Sequence, residues 1–261
     1  IKRDGTLWQW GYSILANNVA PTYTVNGSQF KVAYTATTVF SGGSDWKLIN
    51  AGSIHCTAIK SDGSLWVWGH NRTGQLGTND RVDRWTPVTT FAGGNDWKLA
   101  VATKNIYHQR ESFYWNYTDS GDYTVLGGFA PESSSFAVKN DGSLWSWGSN
   151  YYGELGHGDN GYETGYVHSI TPQLVSNNAD WYTVGGTRSA IGSGNLFNWG
   201  EKFDLGIGAE RAYLPVISQG WSNRQNYVSS PITTFAGGNN WYMCSHTRRS
   251  SYVSNQYQNQ N

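Results

Sequence analysis

The sequence predicts an all-β chain, a β-propeller of about five blades. Three observations predict it: an aromatic- and glycine-rich composition, a motif that recurs along the chain, and strands that are apolar on both faces. The 261 residues include 14 Trp, 17 Tyr, 9 Phe and 32 Gly, with 38% hydrophobic and only 14% charged residues. Aromatics with abundant turn formers suit short strands and tight turns. No apolar stripe of helical period runs long enough to build a bundle. The length suffices for one large domain with a buried core.

The recurring motif is Asp-Gly-(Ser/Thr)-Leu-Trp-x-Trp-Gly. It stands at Asp4-Gly5-Thr6-Leu7-Trp8-Gln9-Trp10-Gly11, at Asp62-Gly63-Ser64-Leu65-Trp66-Val67-Trp68-Gly69 and at Asp141-Gly142-Ser143-Leu144-Trp145-Ser146-Trp147-Gly148. A weaker copy is Gly194-Asn195-Leu196-Phe197-Asn198-Trp199-Gly200. A second half-motif precedes it at Ser44-Asp45-Trp46, Asn95-Asp96-Trp97, Ala179-Asp180-Trp181 and Asn239-Asn240-Trp241. An apolar run, an Asp-Gly turn and an alternating strand together make a strong hairpin signal. Beyond the turn, Trp66 and Trp68 share one face of the strand while Leu65 and Val67 share the other. A strand apolar on both sides needs cover on both sides, and radially arranged sheets supply it because each packs between two neighbours.

Asp-Trp halves at Trp46, Trp97, Tyr123, Trp181 and Trp241, and Leu-Trp halves at Trp8, Trp66, Tyr114, Trp145 and Phe197, predict one propeller domain over 1–253. Its parts are a half-repeat at 1–11, units at about 41–77, 92–116, 119–156 and 176–206, and a half-repeat at 236–253, followed by a polar tail at 254–261. Tyr114 and Tyr123 stand in it as decayed motifs. The N-terminal strand is expected to complete the blade begun around Trp241, closing the ring with Trp8 and Trp10 buried. The alternative is a fragment of a longer propeller. By position Trp8, Trp10, Trp46, Trp66, Trp68, Trp97, Trp145, Trp147, Trp181, Trp199 and Trp241 belong to the repeat.

Two further loops complete the pattern: Asn71-Arg72-Thr73-Gly74-Gln75-Leu76-Gly77 and Asn150-Tyr151-Tyr152-Gly153-Glu154-Leu155-Gly156, each just after a Trp-Gly; a shortened form follows Trp199-Gly200. Hairpin, Leu-Trp-x-Trp-Gly strand and Asn-x-x-Gly-x-Leu-Gly loop together resemble the regulator of chromosome condensation repeat propellers, over nearly the whole chain. The resemblance implies a ring of about seven blades in the usual member. It also implies work done by binding: the namesake promotes nucleotide exchange on a small nuclear GTPase, and a secreted member blocks a β-lactamase. Segments such as Thr86–Trp97 look like those of bacterial, phage and algal-virus members.

Eighteen Lys plus Arg balance eighteen Asp plus Glu, so no global field draws DNA, RNA or an anionic membrane. No apolar run approaches the roughly 18 residues of a spanning helix, and the first residues hold no leader core. No nucleic acid and no membrane insertion are therefore expected. The six histidines fall in different units without ligand spacing, and His157-Gly158-Asp159-Asn160-Gly161 reads as a turn. Nucleophile elbow and phosphate-binding motifs are missing, and the Asp of each Asp-Gly is a turn residue. The expectation is no enzyme, no cofactor and no metal. Cys56 and Cys244 read as buried free thiols, and the sequons at Asn26, Asn71 and Asn116 are weak signals.

Two tryptophans beside arginines fall in inter-unit segments: Arg84-Trp85 and Trp221 with Arg224. They are candidate binding anchors, against the alternative that each caps a blade edge. The function expected is a non-enzymatic structural or protein-interaction propeller, on a virus particle or outside the cell, with virion or cell-surface proteins as partners. Nucleotide exchange, enzyme inhibition and glycan binding are the alternatives.

Overall fold

The Asp-Gly turn does more than reverse the chain. Asp62 accepts hydrogen bonds from the Ser64 amide at 2.9 Å and the Ser64 hydroxyl at 2.6 Å, and that hydroxyl accepts the Trp66 indole N–H at 2.8 Å. The same relay runs Asp4–Thr6–Trp8 and Asp141–Ser143–Trp145. Hydrogen bonds from the hydroxyl and then the amide hold all three carboxyls below the usual carboxylate range. The string Asp-Gly-(Ser/Thr)-Leu-Trp is thus one hydrogen-bonded device that sets the first indole of the strand.

The computed structural model describes residues 1–12, 22–25, 28–39, 43–103, 116–117, 123–124, 133–150, 153–158, 168–176, 180–185, 189–201 and 227–233. Its elements are antiparallel strands. The first blade runs Trp46–Ala51, His55–Lys60, Leu65–Gly69 and Arg84–Thr89 in spatial order. The second runs Trp97–Ala102, Ser134–Lys139, Leu144–Ser149 and His168–Ser176, and the third Trp181–Val184, Ser189–Gly192, Asn195–Glu201 and Tyr227–Thr233. Ahead of them Trp8–Tyr12 pairs with Ser28–Thr38, which also pairs with Thr22–Val25. In each blade a small residue stands opposite the motif aromatic: Ala58 across from Trp66, Ala137 from Trp145, Ala190 from Phe197.

A lysine joins the two half-motifs of a blade. Lys60 lies over the rings of Trp46 at 4.9 Å and Trp66 at 4.7 Å and pairs with Asp45 at 3.3 Å. Lys139 repeats this with Trp97 at 4.7 Å, Trp145 at 5.1 Å and Asp96 at 3.3 Å. In the third blade Gly192 holds the lysine's register position opposite Trp181, and Phe197 packs edge-on to Trp181 at 4.8 Å.

This clamp corrects the division into units. Trp97–Ala102 pairs directly with Ser134–Lys139, with Val101 opposite Phe136, so the segments placed in separate units at 92–116 and 119–156 share one sheet. Residues 104–132 connect its first and second strands, and the described part of that connection contains a short pair, Asn116–Tyr117 with Tyr123–Thr124. The reason is chemical: Trp97 needs the Lys139–Trp145 hairpin, and no Lys-x-Asp-Gly precedes Tyr114. The tally of five loses that pair of halves. The units set at 41–77 and 119–156 also stop short of the outer strands Arg84–Thr89 and His168–Ser176. Trp241, the closing strand at 236–253, Cys244 and the tail 254–261 lie outside the described residues.

Blades join through repeated seams. Among the described residues, the amide of each Asp-Trp tryptophan donates to the hairpin glycine of the preceding sheet: Trp46 to Gly5 at 3.1 Å, Trp97 to Gly63 at 3.1 Å, Trp181 to Gly142 at 3.2 Å. A Cβ on Gly5 would lie 1.9 Å from the Ser44 oxygen, and one on Gly63 2.0 Å from that of Asn95. Both glycines also have positive φ, 78° and 84°, so they are required twice over. Each seam holds its own apolar cluster: Leu7, Val39, Trp46 and Trp68; then Ile59, Leu65, Trp97 and Trp147; then Phe136, Leu144, Trp181 and Trp199. Burying one such indole removes about 150–250 Å² from water, an upper bound of about 4–6 kcal/mol at about 25 cal/mol/Å². Trp8 is half-buried beneath Lys2, 3.7 Å from its ring. Trp10, expected to be buried, is 68% exposed. Its counterparts Trp147 and Trp199 lie under the loop of a preceding blade, and no such loop covers Trp10 among the described residues.

The hairpin glycines set a measurable contrast with Gly93, whose φ is 56° and whose Cβ would meet nothing within 4 Å. Gly93→Ala should cost about 1 kcal/mol of backbone strain alone. Gly63→Ala should cost about 3 kcal/mol or more because strain and collision add. Urea denaturation of the two variants checks this, and equal costs would remove the close approach as a reason for the glycine.

Candidate functional site

The connection from the third to the outer strand of the first blade, residues 70–83, is built around one asparagine. Buried Asn71 accepts the Leu76 amide at 2.9 Å and donates to Thr78 Oγ1 at 3.0 Å, the Asp80 carbonyl at 2.9 Å and Asp80 Oδ1 at 3.0 Å. Asn150 accepts the Leu155 amide at 3.0 Å in the second blade, so the motif asparagine closes its loop from within. Asn71 is 0% exposed, and in the folded chain its amide is inaccessible to a glycan.

Two aspartates tie the loop to the strand that follows. Asp83 accepts the Asn71 amide at 2.7 Å and bonds His70 Nδ1 at 3.0 Å. Asp80 takes Thr78 Oγ1 at 2.8 Å, the Val82 amide at 3.1 Å and an Arg84 guanidinium nitrogen at 2.5 Å. Burial pushes both carboxyls upward. Hydrogen bonds outweigh it and hold both below the ordinary range: from Thr78, Val82 and Arg84 at Asp80, and from His70 and Asn71 at Asp83. The loop also reaches the next blade, where the Asn79 amide donates to the Ile170 carbonyl at 2.9 Å.

Of the anchors read from sequence, Trp85 is 38% exposed and stands edge-on to His70, ring centroids 5.2 Å apart. It partly caps the edge and partly faces solvent. Arg84 is engaged inside the loop, donating to the Val82 carbonyl at 2.9 Å as well as to Asp80. Trp221 and Arg224 lie outside the described residues. Sequence reasoning missed Val82, 59% exposed, and the exposed Arg72 and Arg81. It also missed Asp80, although its spacing of four from Arg84 was a readable signal.

Beneath this loop runs a buried seam. The Gln75 carbonyl accepts the Trp147 indole at 2.9 Å and the Ser135 hydroxyl at 2.8 Å. With the serine proton committed, the serine oxygen accepts from His55 Nε2 at 2.8 Å, which makes His55 the neutral Nε2–H tautomer. Glu154 offers its carbonyl to Trp199 at 2.6 Å in the next seam. Burial, with a smaller contribution from His70, pushes the His55 pKa down to about 3, and burial pushes the Cys56 thiol up to about 12. Among the described residues no group of three or more His, Cys, Asp or Glu is placed to hold a metal ion, and no helix is long and apolar enough to cross a membrane.

His55 gives the seam an acid liability. Its folded pKa is depressed from 6.5 to about 3, so below pH 6.5 the unfolded chain takes a proton that the folded chain refuses. Stability is therefore full above about pH 6.5 and falls as pH drops toward 3, by at most about 5 kcal/mol. Urea midpoints between about pH 7.5 and 4.5, above the carboxylate range, should decline in the parent and flatten in His55→Gln. Parallel slopes would assign the acid sensitivity to other groups.

A family model for the regulator of chromosome condensation (RCC1) repeat matches residues 62–102 and 141–184, and a second RCC1 repeat model matches 46–75. The ultraviolet-B receptor UVR8 of Arabidopsis thaliana is 30% identical over 226 residues, 73% of this chain and 51% of that protein. The human E3 ubiquitin-protein ligase HERC2 is 26% identical over 137 residues, 42% of this chain and 3% of that protein. Among solved structures, yeast RCC1 (Prp20) bound to Kap60 is similar with a TM-score of 0.61 at 17% identity, over 90% of this chain and 47% of that one. Human WBSCR16 is similar at 0.56 and 16% identity, over 90% and 49%. The chain spans about half the length of UVR8 and of these propellers.

Proposed function

The chain belongs to the regulator of chromosome condensation repeat family, and from that premise we propose that it is a non-enzymatic β-propeller that holds other proteins against its loops. The observation that carries this reading is where the repeat's polar side chains are engaged. The motif Asp, Ser and Thr fix indoles, the lysines clamp sheets, and His55 and Ser135 line a seam. What varies between blades is loop surface, which is where propellers carry recognition.

The relatives support the same class of work. Yeast RCC1 (Prp20) is seen bound to Kap60, and Prp20p of Saccharomyces cerevisiae, also similar in fold, has binding properties toward Gsp1p and histones. The outer strands favour loops over strand addition as the means of contact. Pro87, Pro172 and Pro231 sit within them, and a proline on an edge strand removes a donor that an added strand would need. The balanced charge and Asn/Ser/Thr/Gly-rich composition support a setting on a virus particle or outside the cell.

Affinity capture with the full chain, followed by titration of the purified pair, tests the reading. A protein partner bound at micromolar Kd or tighter is the expected result. Accelerated nucleotide release from a small GTPase would replace it with an exchange factor, inhibition of an enzyme by the purified chain would narrow it to an inhibitor, and capture of glycans without protein would replace it with a lectin.

A further inference from the structure

We propose that the surface formed by Arg72, Arg81, Val82 and Trp85 docks an acidic segment of a partner protein that carries apolar side chains among its carboxylates. The inference rests on the interaction reading above and names the partner chemistry at one site. Residues 70–85 contain three arginines and two aspartates. Both carboxylates are engaged within the loop: Asp80 by Thr78, the Val82 amide and Arg84, and Asp83 by His70 and the Asn71 amide. Arg84 is engaged with them. Arg72 and Arg81 are exposed, and neither makes an ion pair among the described residues. The loop therefore ties its negative charge inward and turns positive charge outward, although the chain as a whole is neutral.

The same segment exposes two apolar side chains, Val82 next to Arg81 in the chain at 59% and Trp85 at the start of the following strand at 38%. Trp and Arg are the side chains that dominate interface energetics, and guanidinium groups suit bidentate carboxylate contacts. The frame is also rigid. Asn71, Asp80 and Asp83 set the loop before a partner arrives, so little ordering entropy opposes binding. Two outward cations are too few to hold an anionic bilayer, where each is worth about 1 kcal/mol, and too few for a nucleic acid in a chain without net charge.

The test uses the full chain and a fluorescein-labelled peptide that alternates Glu-Asp pairs with Leu, against a twin with Gln-Asn in their place. Polarisation should show the acidic peptide binding and the neutral twin binding at least about tenfold more weakly, with affinity falling as salt rises from about 0.05 to 0.5 M. R72E with R81E should weaken binding about tenfold or more with the native circular dichroism spectrum retained; because the Arg72 charge also helps hold the Asp83 carboxyl down, R81E alone should weaken binding several-fold at a nearly unchanged thermal midpoint. V82S should weaken it several-fold, likewise without loss of folding. An unchanged Kd in the charge-reversed variant, equal binding of the twin, absence of peptide binding, or binding to phosphatidylserine vesicles or heparin in preference to the peptide would each overturn the proposal. The two readings separate cleanly. A native partner whose capture survives R72E with R81E sinks this surface and leaves the interaction module standing, whereas a chain that captures no protein sinks both.

Discussion

The structure depends on hydrogen bonds that tryptophan donates across the gap between sheets. Two different N–H groups do this at two ends of the seam. The backbone amide of the Asp-Trp residue reaches the hairpin glycine of the sheet before it, as Trp97 does with Gly63. The indole of the second motif tryptophan reaches the loop carbonyl of the blade before it, as Trp147 does with Gln75 and Trp199 with Glu154. Apolar packing alone is non-directional and would let neighbouring sheets slide. Donors at both ends fix the angle, and the buried indoles between them supply most of the cohesion.

Within a blade the constraint is electrostatic as well as steric. Lys60 and Lys139 each sit over two aromatic faces with an aspartate at the rim, so one cation holds the first strand to the hairpin. The third blade does without it. Gly192 replaces the lysine, a Ser193-Gly194 turn replaces Asp-Gly with Ser193 at φ 48°, and Phe197 closes on Trp181. The edge-on aromatic pair is common to all three blades, and without the lysine it is drawn in from 6.0 Å at Trp46–Trp66 and Trp97–Trp145 to 4.8 Å at Trp181–Phe197, with the four-stranded sheet retained.

Much of this was legible because it is local. Asp-Gly followed by Leu-Trp-x-Trp encodes turn, strand and two-sided burial within eight residues, and the copies at 62–69 and 141–148 fold that way, whereas the copy at 4–11 forms turn and strand with Trp10 exposed. The period misled where a residue class was counted without its partners. Tyr114 and Tyr123 looked like decayed tryptophans, but neither stands with the Lys-x-Asp-Gly hairpin that the clamp requires, and Trp97 found its own across residues 104–132. Proline concealed the outer strands, since Pro87 and Pro172 argue against a central strand and are acceptable on an edge. At the candidate site, Trp85 stood out as a tryptophan that the repeat did not use. The inward turn of Arg84 was hidden because it depends on Asp80 and the Val82 carbonyl meeting in three dimensions. Exposure of Trp10 follows from what covers it, which no motif states.

The seam also has a genetic consequence. Because the first and second blades each present a glycine carbonyl and a loop carbonyl on one flank, and the second and third each carry the matching pair of tryptophan donors on the other, these blades share one joint. Unequal recombination that adds or deletes a whole repeat leaves a usable joint behind. Lineages built on this coupling are free to drift in copy number and to diversify each intervening loop separately, as beads change colour on a string whose clasps are all alike.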